Sequence, residues 1–389
     1  MLINWWEIGD NQFLHLTKEV LSQIERETQK KFGSLRKFSK ELNLPYTTLY
    51  SKFKEKPQGI RVRVLKQVLH ILEIPLNVIN NEIKNIGIQK SIKQIKFPVE
   101  LSPKFGQLLA HGFFDGYVDS SIFRYSCFDP QLREEFTQLI EKLNFGRIKV
   151  NKPENCKRDI DLSDSICKFL SEVFGVSTYK SKECRIPKNF LEIVKCNKMF
   201  GYFFVKGAYL DEGTISGKQI WLVRGIHNEK MAEDLVELCK LIRLRVKGPK
   251  ITGKWHEIDE YSVLIPEESY QKFEKIFMMT KITTCNKITR VIKKIENCIK
   301  TRKEENKYKD DLRIIIEKAK QKEYVTIVDT MNLCEITQHQ ALYRLYLLVR
   351  TENLFLVKQK GKSLFYFKKF SLPSTVPRIN DIRREKGWR

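Results

Sequence analysis

The sequence has nine cysteines but no Cys-x-x-Cys pair, and it has no apolar run long enough to span a membrane. Scattered cysteines indicate neither a zinc site nor a disulfide framework, so we expect reduced thiols, with Cys127, Cys167, Cys239 and Cys298 as small apolar fillers. No window approaches roughly 18 uncharged apolar residues, and the N-terminus MLINWWEIGD lacks the layout of a signal peptide. We therefore expect a cytoplasmic protein with no membrane partner.

Acidic residues are few beside the basic ones. The 389 residues include 71 Lys and Arg against 47 Asp and Glu, which gives a net charge of +24. A field of that sign attracts phosphate backbones. The composition therefore agrees with a nucleic-acid partner, and a protein associated with the nucleoid is expected, while no small-molecule substrate is evident. The length predicts two or three domains.

The chain contains an internal duplication. The stretches LLAHGFFDG at 108–116 and VKGAYLDEG at 205–213 each end a helical apolar run in an acid followed by glycine. Downstream of each stretch a helix begins, at Leu132 and Met231, with the same spacing of apolar residues. Runs rich in β-forming residues precede and follow each helix. Each half is therefore predicted to be helix, two strands, helix, two strands, helix.

These halves resemble the two repeats of a single-chain, free-standing LAGLIDADG homing endonuclease, whose nine-residue motif falls at 108–116 and at 205–213. The stretch RIPKNFLEIVKCNKMFGYFFVKGAYLDEGTIS at 185–216 is similar to the family's usual run into its second motif. The resemblance covers roughly residues 95 to 300. It implies an α+β fold in which two αββαββα repeats, 105–200 and 201–300, form a pseudo-twofold saddle on DNA.

The motif residues also have a physical explanation that does not depend on the family. Small side chains let two helices cross closely, and the expected residues at the crossing are Ala110, Gly112, Gly207 and Ala208. Two departures from the family pattern stand in the first motif, His111 in place of an apolar residue and Ala110 in place of glycine. We expect His111 to be packed in the interior and not to be a ligand.

The two acids that end the motifs are the candidate catalytic and metal-binding residues. Close packing of the helices would bring Asp115 and Glu212 together, and Gly116 and Gly213 would let the backbone leave each helix in a left-handed turn. Two carboxylates repel each other and the helix dipoles, so Mg²⁺ or Mn²⁺ is the expected neutraliser, and such an ion supports phosphodiester hydrolysis. A single Asp-Gly is most often only a turn; the duplication favours the catalytic reading.

Residues 1–85 are predicted to form an all-α helix-turn-helix domain. The segments SLRKFSKELN (34–43), YTTLYSKFKEK (46–56) and RVRVLKQVLHILEI (61–74) have the spacing of three such helices and are similar to phage-repressor-type DNA-binding domains. The second helix would enter the major groove, with Leu49 and Phe53 inward. The candidate DNA contacts are Thr47, Thr48, Tyr50, Ser51, Lys52, Arg61 and Arg63. The alternative is a helical bundle with a solvated basic face.

The remaining segments flank the repeats. Residues 86–104, with Pro98 and Pro103, are predicted to be an extended surface linker. Residues 301–372 are predicted to be a small winged helix whose hairpin turns at Gly361, and 373–389 a basic tail. The candidate recognition helix of the winged helix carries Gln338, His339, Gln340 and Arg344. Winged helices also contact proteins, so DNA contact and protein contact both remain open here.

The sequence as a whole predicts a sequence-specific double-stranded DNA-binding protein, monomeric, and favours a metal-dependent endonuclease. On the saddle, alternating strand residues would read base edges. The candidate contacts there are Arg124, Arg224, Lys149, Lys247 and Lys250. The alternative is a domesticated transcription regulator that does not cleave: the two extra DNA-binding domains favour it, whereas the retained acids favour the enzyme. An RNA-binding protein is less expected, because no aromatic-rich platform for single strands is evident.

Overall fold

A computed structural model describes residues 1–55, 59–87, 92–118, 122–143, 145–151, 158–180, 182–280, 285–351, 353–359 and 362–367. The chain divides into two compact units, Met1–Ile295 and Glu296–Arg389. The fold is α+β, as the sequence predicts. Among the described residues no helix is both long enough and apolar enough to cross a membrane.

The N-terminal part of the first unit alternates short strands with helices. Thr17 caps the first helix by accepting a hydrogen bond from the Val20 amide, and Ser34 caps the second through the Lys37 amide. A π-helical turn at Ser51–Glu55 follows the third helix. The elements are β1 (Leu2–Ile3), β2 (Phe13–Leu16), α1 (Lys18–Phe32), α2 (Leu35–Glu41), α3 (Tyr46–Tyr50), β3 (Ile60–Arg61), α4 (Val62–Ile71), β4 (Ile83–Ile86), β5 (Ile92–Lys93) and β6 (Val99–Glu100).

The first repeat and the second repeat follow, joined by one connecting helix. The first consists of α5 (Phe105–Phe114), β7 (Gly116–Val118), β8 (Ile122–Ser126), α6 (Pro130–Glu141), β9 (Arg147–Ile148), β10 (Val150–Asn151), β11 (Asp159–Ser163) and α7 (Asp164–Phe174). The connecting helix is α8 (Lys188–Cys196). The second consists of α9 (Lys198–Glu212), β12 (Thr214–Ser216), β13 (Gln219–Ile226), α10 (Glu229–Leu241), β14 (Lys247–Trp255), β15 (Ile258–Ile265) and α11 (Tyr270–Met279).

Both repeats build a four-stranded antiparallel sheet with the same topology. The strand order is β10-β11-β8-β7 in the first and β12-β13-β15-β14 in the second. The extra strand β9 of the first repeat does not belong to this sheet and is left out of the count. If the four strands of each sheet are numbered in chain order, both sheets have the strand order 3-4-2-1. The αββαββα duplication that the resemblance implies is therefore present.

The N-terminal region is not all-α, and residues 86–104 are not a surface linker. Strands β2, β3, β4 and β5 form a five-stranded sheet, in the order β3-β2-β4-β5-β9, whose last strand comes from the first repeat. Strand β6 pairs with β1. Every second residue or so of the supposed linker is apolar, which is the pattern of strands with one buried side. The buried residues are Ile92, Ile95, Phe97, Val99 and Leu101.

The second unit has the helix and strand order of a winged helix. Its elements are the C-terminal part of α12 (Asn286–Lys322), which begins in the first unit, then β16 (Tyr324–Thr326), α13 (Ile327–Cys334), α14 (Gln338–Arg350), β17 (Leu354–Gln359) and β18 (Lys362–Phe367). The strands form a sheet in the order β16-β18-β17, so one strand joins the predicted hairpin. Thr326 and Thr337 cap α13 and α14. The predicted turn at Gly361 and the tail 373–389 lie outside the described residues.

Candidate nucleic-acid interface and acidic centre

Two glycines set the close crossing of the motif helices α5 and α9. A Cβ atom built on Gly106 would overlap the carbonyl oxygen of Phe200, and one built on Gly207 would lie 2.8 Å from the Cβ of Ala110. The helix backbones are therefore too close for a side chain at either glycine. The predicted crossing residues Ala110 and Gly207 are confirmed, and Gly106 is one that the sequence analysis missed because it precedes the nine-residue motif.

Gly112 is not a crossing residue. A Cβ at this position would meet the rings of Phe123 and Tyr179, both of which belong to the first half of the chain. The prediction for Gly112 is therefore wrong, because this position faces the interior of its own repeat and not the opposite helix. Ala208 is fully buried, and its place at the crossing stays a prediction.

The motif glycines Gly116 and Gly213 are required because neighbouring atoms leave no room for a side chain, and not because the backbone makes a left-handed turn. Gly213 has a φ of −71°, and Gly116 is not among the described glycines with positive φ. A Cβ on Gly116 would lie 2.7 Å from the carbonyl oxygen of His111, and one on Gly213 would overlap the ring of Tyr209. The predicted left-handed turns are therefore wrong, since the glycines are needed where the chain passes back over the last turn of each helix.

The acids Asp115 and Glu212 lie at the ends of the crossed helices and are half-buried. Burial, together with the charges of Asp211 and Glu212, raises the pKa of Asp115 to about 8. Burial and the charge of Asp211 raise the pKa of Glu212 to about 7. Because the charge of Asp211 acts on both acids and that of Glu212 acts on Asp115, we treat Asp115, Asp211 and Glu212 together as the acidic centre.

Asp211 is the member of the acidic centre that the sequence analysis missed. Its carboxylate is fully buried, with both oxygens 2.9 Å from Nδ1 of His111. The hydroxyl of Tyr125 donates a second hydrogen bond to it over 3.1 Å. The amide of Gln107 reaches the other ring nitrogen of His111 at 3.2 Å. His111 is thus buried, as predicted, and it fixes Asp211 of the opposite repeat.

Lys287, at the start of α12, supplies a cation beside the acidic centre. Its Nζ donates to the carbonyl oxygens of Leu210 and Asp211, over 2.7 and 3.1 Å. Burial lowers the pKa of Lys287, while the charges of the three acids oppose that shift. The lysine therefore neutralises the C-terminal end of α9 and part of the acidic charge. Nothing in its sequence context marks it, because it lies 75 residues after Glu212.

The acidic centre fits a cation that takes only one or two of its ligands from the protein. Within the described ranges no group of three or more His, Cys, Asp or Glu is placed to hold a metal ion, and the carboxylate of Asp211 is engaged by His111 and Tyr125. Mg²⁺ is commonly held by one or two carboxylates, with waters and substrate phosphates completing its shell. Asp115 and Glu212 could serve as those two ligands.

The candidate helix-turn-helix residues are placed only partly as the sequence predicts. Leu49 and Phe53 are buried, as predicted. Thr47 and Thr48 are exposed on α3, and Arg61 and Arg63 are exposed outside that helix. Tyr50, Ser51 and Lys52, which we expected to be exposed, are half-buried. The basic ends of Lys52 and Arg61 lie over the ring of Phe13, at 5.5 and 5.3 Å from its centroid. Only Lys56 of the second predicted helix lies outside the described residues.

The sheets of the two repeats differ in the basic residues that they leave accessible. Arg224, Lys247 and Lys250 of the second repeat are exposed. Arg124 of the first repeat instead forms two hydrogen bonds with Asp161, over 2.7 and 2.9 Å. Because this carboxylate offsets its charge, Arg124 is a weaker candidate for a phosphate contact than the sequence predicts.

In the second unit, Arg344 is part of the interior. Its guanidinium lies 2.7 Å from the carboxylate of Asp311 and over the ring of Tyr308. Arg344, one of the four residues named on the candidate recognition helix, is therefore engaged inside the unit, since its side chain points from α14 towards α12. Gln338 and His339 on the same helix are exposed, as expected.

No protein-family model matches the chain, and no curated protein matches it. Among solved structures it is similar to the full-length DUF199/WhiA protein from Thermatoga maritima, with 11% identity over 64% of this chain and 90% of that chain and a TM-score of 0.29. It is also similar to the N-terminal LAGLIDADG domain of DUF199/WhiA, with 14% identity over 50% of this chain and 90% of that chain and a TM-score of 0.30. The LAGLIDADG-like character of the fold stands on the chain's own duplicated topology and crossed motif helices.

Proposed function

We propose that this protein binds double-stranded DNA in a sequence-specific manner and acts as a transcription regulator that does not cleave. The observation that carries the proposal is the pair of four-stranded sheets of identical topology, joined through the crossed helices α5 and α9. Strands with alternating side chains can read base edges in successive major-groove segments. The exposed Arg224, Lys247 and Lys250 on the second sheet, in a chain of net charge +24, supply phosphate contacts.

The acidic centre supports regulation without cleavage. Its own cation, Lys287, already donates to the carbonyl oxygens of Leu210 and Asp211 and feels the charges of all three acids. Asp115 and Glu212 have pKa values raised to about 8 and about 7, so both retain protons near neutral pH. A buried, partly protonated centre with an internal lysine can hold two helices together without any bound ion.

The second candidate function is a metal-dependent endonuclease. The adjacency of Asp115 and Glu212 favours it, since the two carboxylates could hold Mg²⁺ or Mn²⁺. A bound divalent ion would supply Lewis-acid stabilisation of the phosphodiester and a more acidic water. This chain's residues would contribute by giving up their protons when the ion binds and by presenting the ion at the centre of the paired sheets.

Selection from a random-duplex library with the full chain tests DNA binding. We expect a pseudo-palindromic site at best, because the two sheets carry different residues, and a log–log salt slope that indicates roughly six to ten phosphate contacts. Changing Arg224, Lys247 and Lys250 together to Gln should lower the slope by roughly three contacts. The matched control changes three exposed lysines on helices α8 and α10 to Gln, namely Lys188, Lys230 and Lys240. Absence of any selected sequence would contradict the proposal.

Incubation of the selected duplex with saturating protein and Mg²⁺ or Mn²⁺ separates the two functions. A regulator leaves both strands intact. If the duplex is cut, the double change Asp115→Asn and Glu212→Gln should abolish cutting while affinity is kept or improved, since two acidic groups facing phosphates become neutral. Cutting that depends on these residues would replace the regulator with the endonuclease. The stoichiometry of the complex tests the expected monomer.

A further inference from the structure

We infer that one face of the sheet β3-β2-β4-β5-β9 is a phosphate-binding surface that carries a single DNA duplex from the helix-turn-helix region to the first repeat. The inference rests on the proposed DNA binding and adds a site to it. We define this surface, the basic face, as Lys52, Arg61, Lys93 and Arg147. Lys93 and Arg147 are residues to which the sequence analysis gives no role.

The strand register separates an apolar face of this sheet from the basic one. Ile60, Leu14, Ile86 and Ile92 lie opposite one another on four neighbouring strands and are buried, and Ile148 continues the row on β9. Because successive side chains alternate across a strand, the neighbours of these residues lie on the other face. That apolar row anchors the sheet to the interior and leaves the second face outward.

The outward face carries basic residues towards both edges of the sheet, with Phe13 and Asn85 on the strands between them. Arg61 is paired with Phe13, and Lys93 is paired with Arg147, in the registers of β3-β2 and β5-β9. All three basic side chains are exposed. Lys52, two residues beyond α3, lies over the same Phe13 ring as Arg61. None of the five strands contains Asp or Glu, so no acid of the sheet itself neutralises this row.

The sheet also fixes the distance between the two regions that it joins. Strand β9 belongs to the first repeat, yet among the described strands its partner is β5 of the N-terminal region. The amide of Gln12 donates to the carbonyl oxygen of Ser165 in a buried hydrogen bond of 2.9 Å. Gly9 passes so close to Glu172 that a Cβ there would overlap its side chain. The helix-turn-helix region and the first repeat are therefore one body, not two domains on a flexible tether.

A duplex that occupies both regions must therefore cross the basic face. Regularly spaced phosphates are the partner that a row of exposed Lys and Arg without acids attracts best. A rigid connection permits one spacing between the subsequence read by α3 and the subsequence read by the repeats. The target is then a single composite site with a fixed internal spacing.

The test compares two double variants of the full chain on the duplex selected by the wild type. Lys93→Gln with Arg147→Gln should lower the magnitude of the log–log salt slope by roughly two, since each lost phosphate contact lowers it by about 0.9. It should also remove hydroxyl-radical protection of the backbone between the two protected subsites. Lys188→Gln with Lys230→Gln has the same loss of charge and should change neither. Both variants alter exposed side chains, so equal melting temperatures are expected and are checked.

An unchanged slope together with an unprotected backbone between the subsites would overturn the inference while leaving DNA binding intact. A second experiment inserts about 5 base pairs, half a helical turn, between the subsites. A rigid composite site predicts at least about a tenfold loss of affinity, and retention of full affinity would show that the regions bind independently. Failure of the wild type to bind any duplex would instead overturn the proposed function itself.

Discussion

His111 of the first motif helix and Asp211 of the second are joined in the interior of the protein, with Nδ1 of the imidazole 2.9 Å from both carboxylate oxygens. Each residue belongs to a different repeat, so this contact holds the two halves in register at the end where the acids lie. The family pattern places an apolar residue at the position of His111, and the acid in the opposite helix gives the physical reason for the departure.

Replacement of His111 should show how much this contact contributes. His111→Leu leaves the buried Asp211 carboxylate with the Tyr125 hydroxyl but without its imidazole donor, and we expect a loss of about 1.5 to 3 kcal/mol in the free energy of unfolding. His111→Gln keeps a donor in a similar volume and should lose less. Denaturant titration of both variants measures the difference. Equal stabilities for the two would show that the hydrogen bond contributes nothing beyond packing.

The stability of the first unit should fall as the pH rises. Asp115 has a pKa of about 8 in the folded protein and near 3.9 when unfolded. Between those values the folded state binds more protons than the unfolded state, so the free energy of unfolding decreases with rising pH and levels off above about 8. We expect the melting temperature to be higher at pH 5 than at pH 8.5.

Asp115→Asn is the matched variant for the pH experiment. The amide resembles the protonated acid, so the variant should match the wild type only below about pH 4, and its advantage in stability should grow with rising pH up to about 8. Glu212→Gln should act in the same direction over a window that ends near pH 7. A wild type and Asp115→Asn variant with parallel pH profiles would contradict the raised pKa.

The crossing of α5 and α9 can be tested by moving one methyl group. Gly207→Ala places a Cβ 2.8 Å from that of Ala110, and we expect a loss of about 1 to 3 kcal/mol from overpacking. Gly207→Leu should cost more. Ala110→Gly in the Gly207→Ala background removes the opposing methyl group and should restore part of the stability, although the Gln107 carbonyl oxygen, 3.0 Å from the new atom, remains. Additive losses in the double variant would contradict the predicted compensation.

The second unit offers a separate test of a buried ion pair. Arg344→Leu leaves Asp311 buried without its partner, and a loss of about 3 to 5 kcal/mol is expected for this unit. Arg344→Leu combined with Asp311→Leu should be closer to neutral, since no unpaired charge remains. Hydrogen exchange localises the change to residues 296–367. A double variant as unstable as the single one would show that packing and not charge controls the effect.

The duplicated repeats were accessible from sequence because their signals are local and repeated. The motif stretches, the matched helices at Leu132 and Met231 and the strands between them are each periodic, and all form. The helices and strands of the second unit after residue 310 were predictable for the same reason.

What the sequence could not provide depends on contacts between distant segments. The pairing of β5 with β9 joins Lys93 to Arg147, and short strands of two residues leave almost no periodic signal. The position of Lys287 beside the acidic centre follows from how α12 begins, not from its neighbours in sequence. The burial of Arg344 was not predictable from its own helix, because its partner, Asp311, lies on another helix.

The pairing of β5 with β9 also bears on how the chain folds as it is made. Strand β5 ends at Lys93, but its outer partner is not synthesised until Arg147 and Ile148, after the whole of α5 and α6. Until then the growing N-terminal sheet carries an unpaired edge, and exposed edges of this kind invite association with other chains. The outward side of that edge carries Lys93, and charged side chains, lysine above all, are a common protection for unpaired edges. The helix-turn-helix region thus completes its sheet on the ribosome only when more than half of the first repeat has emerged.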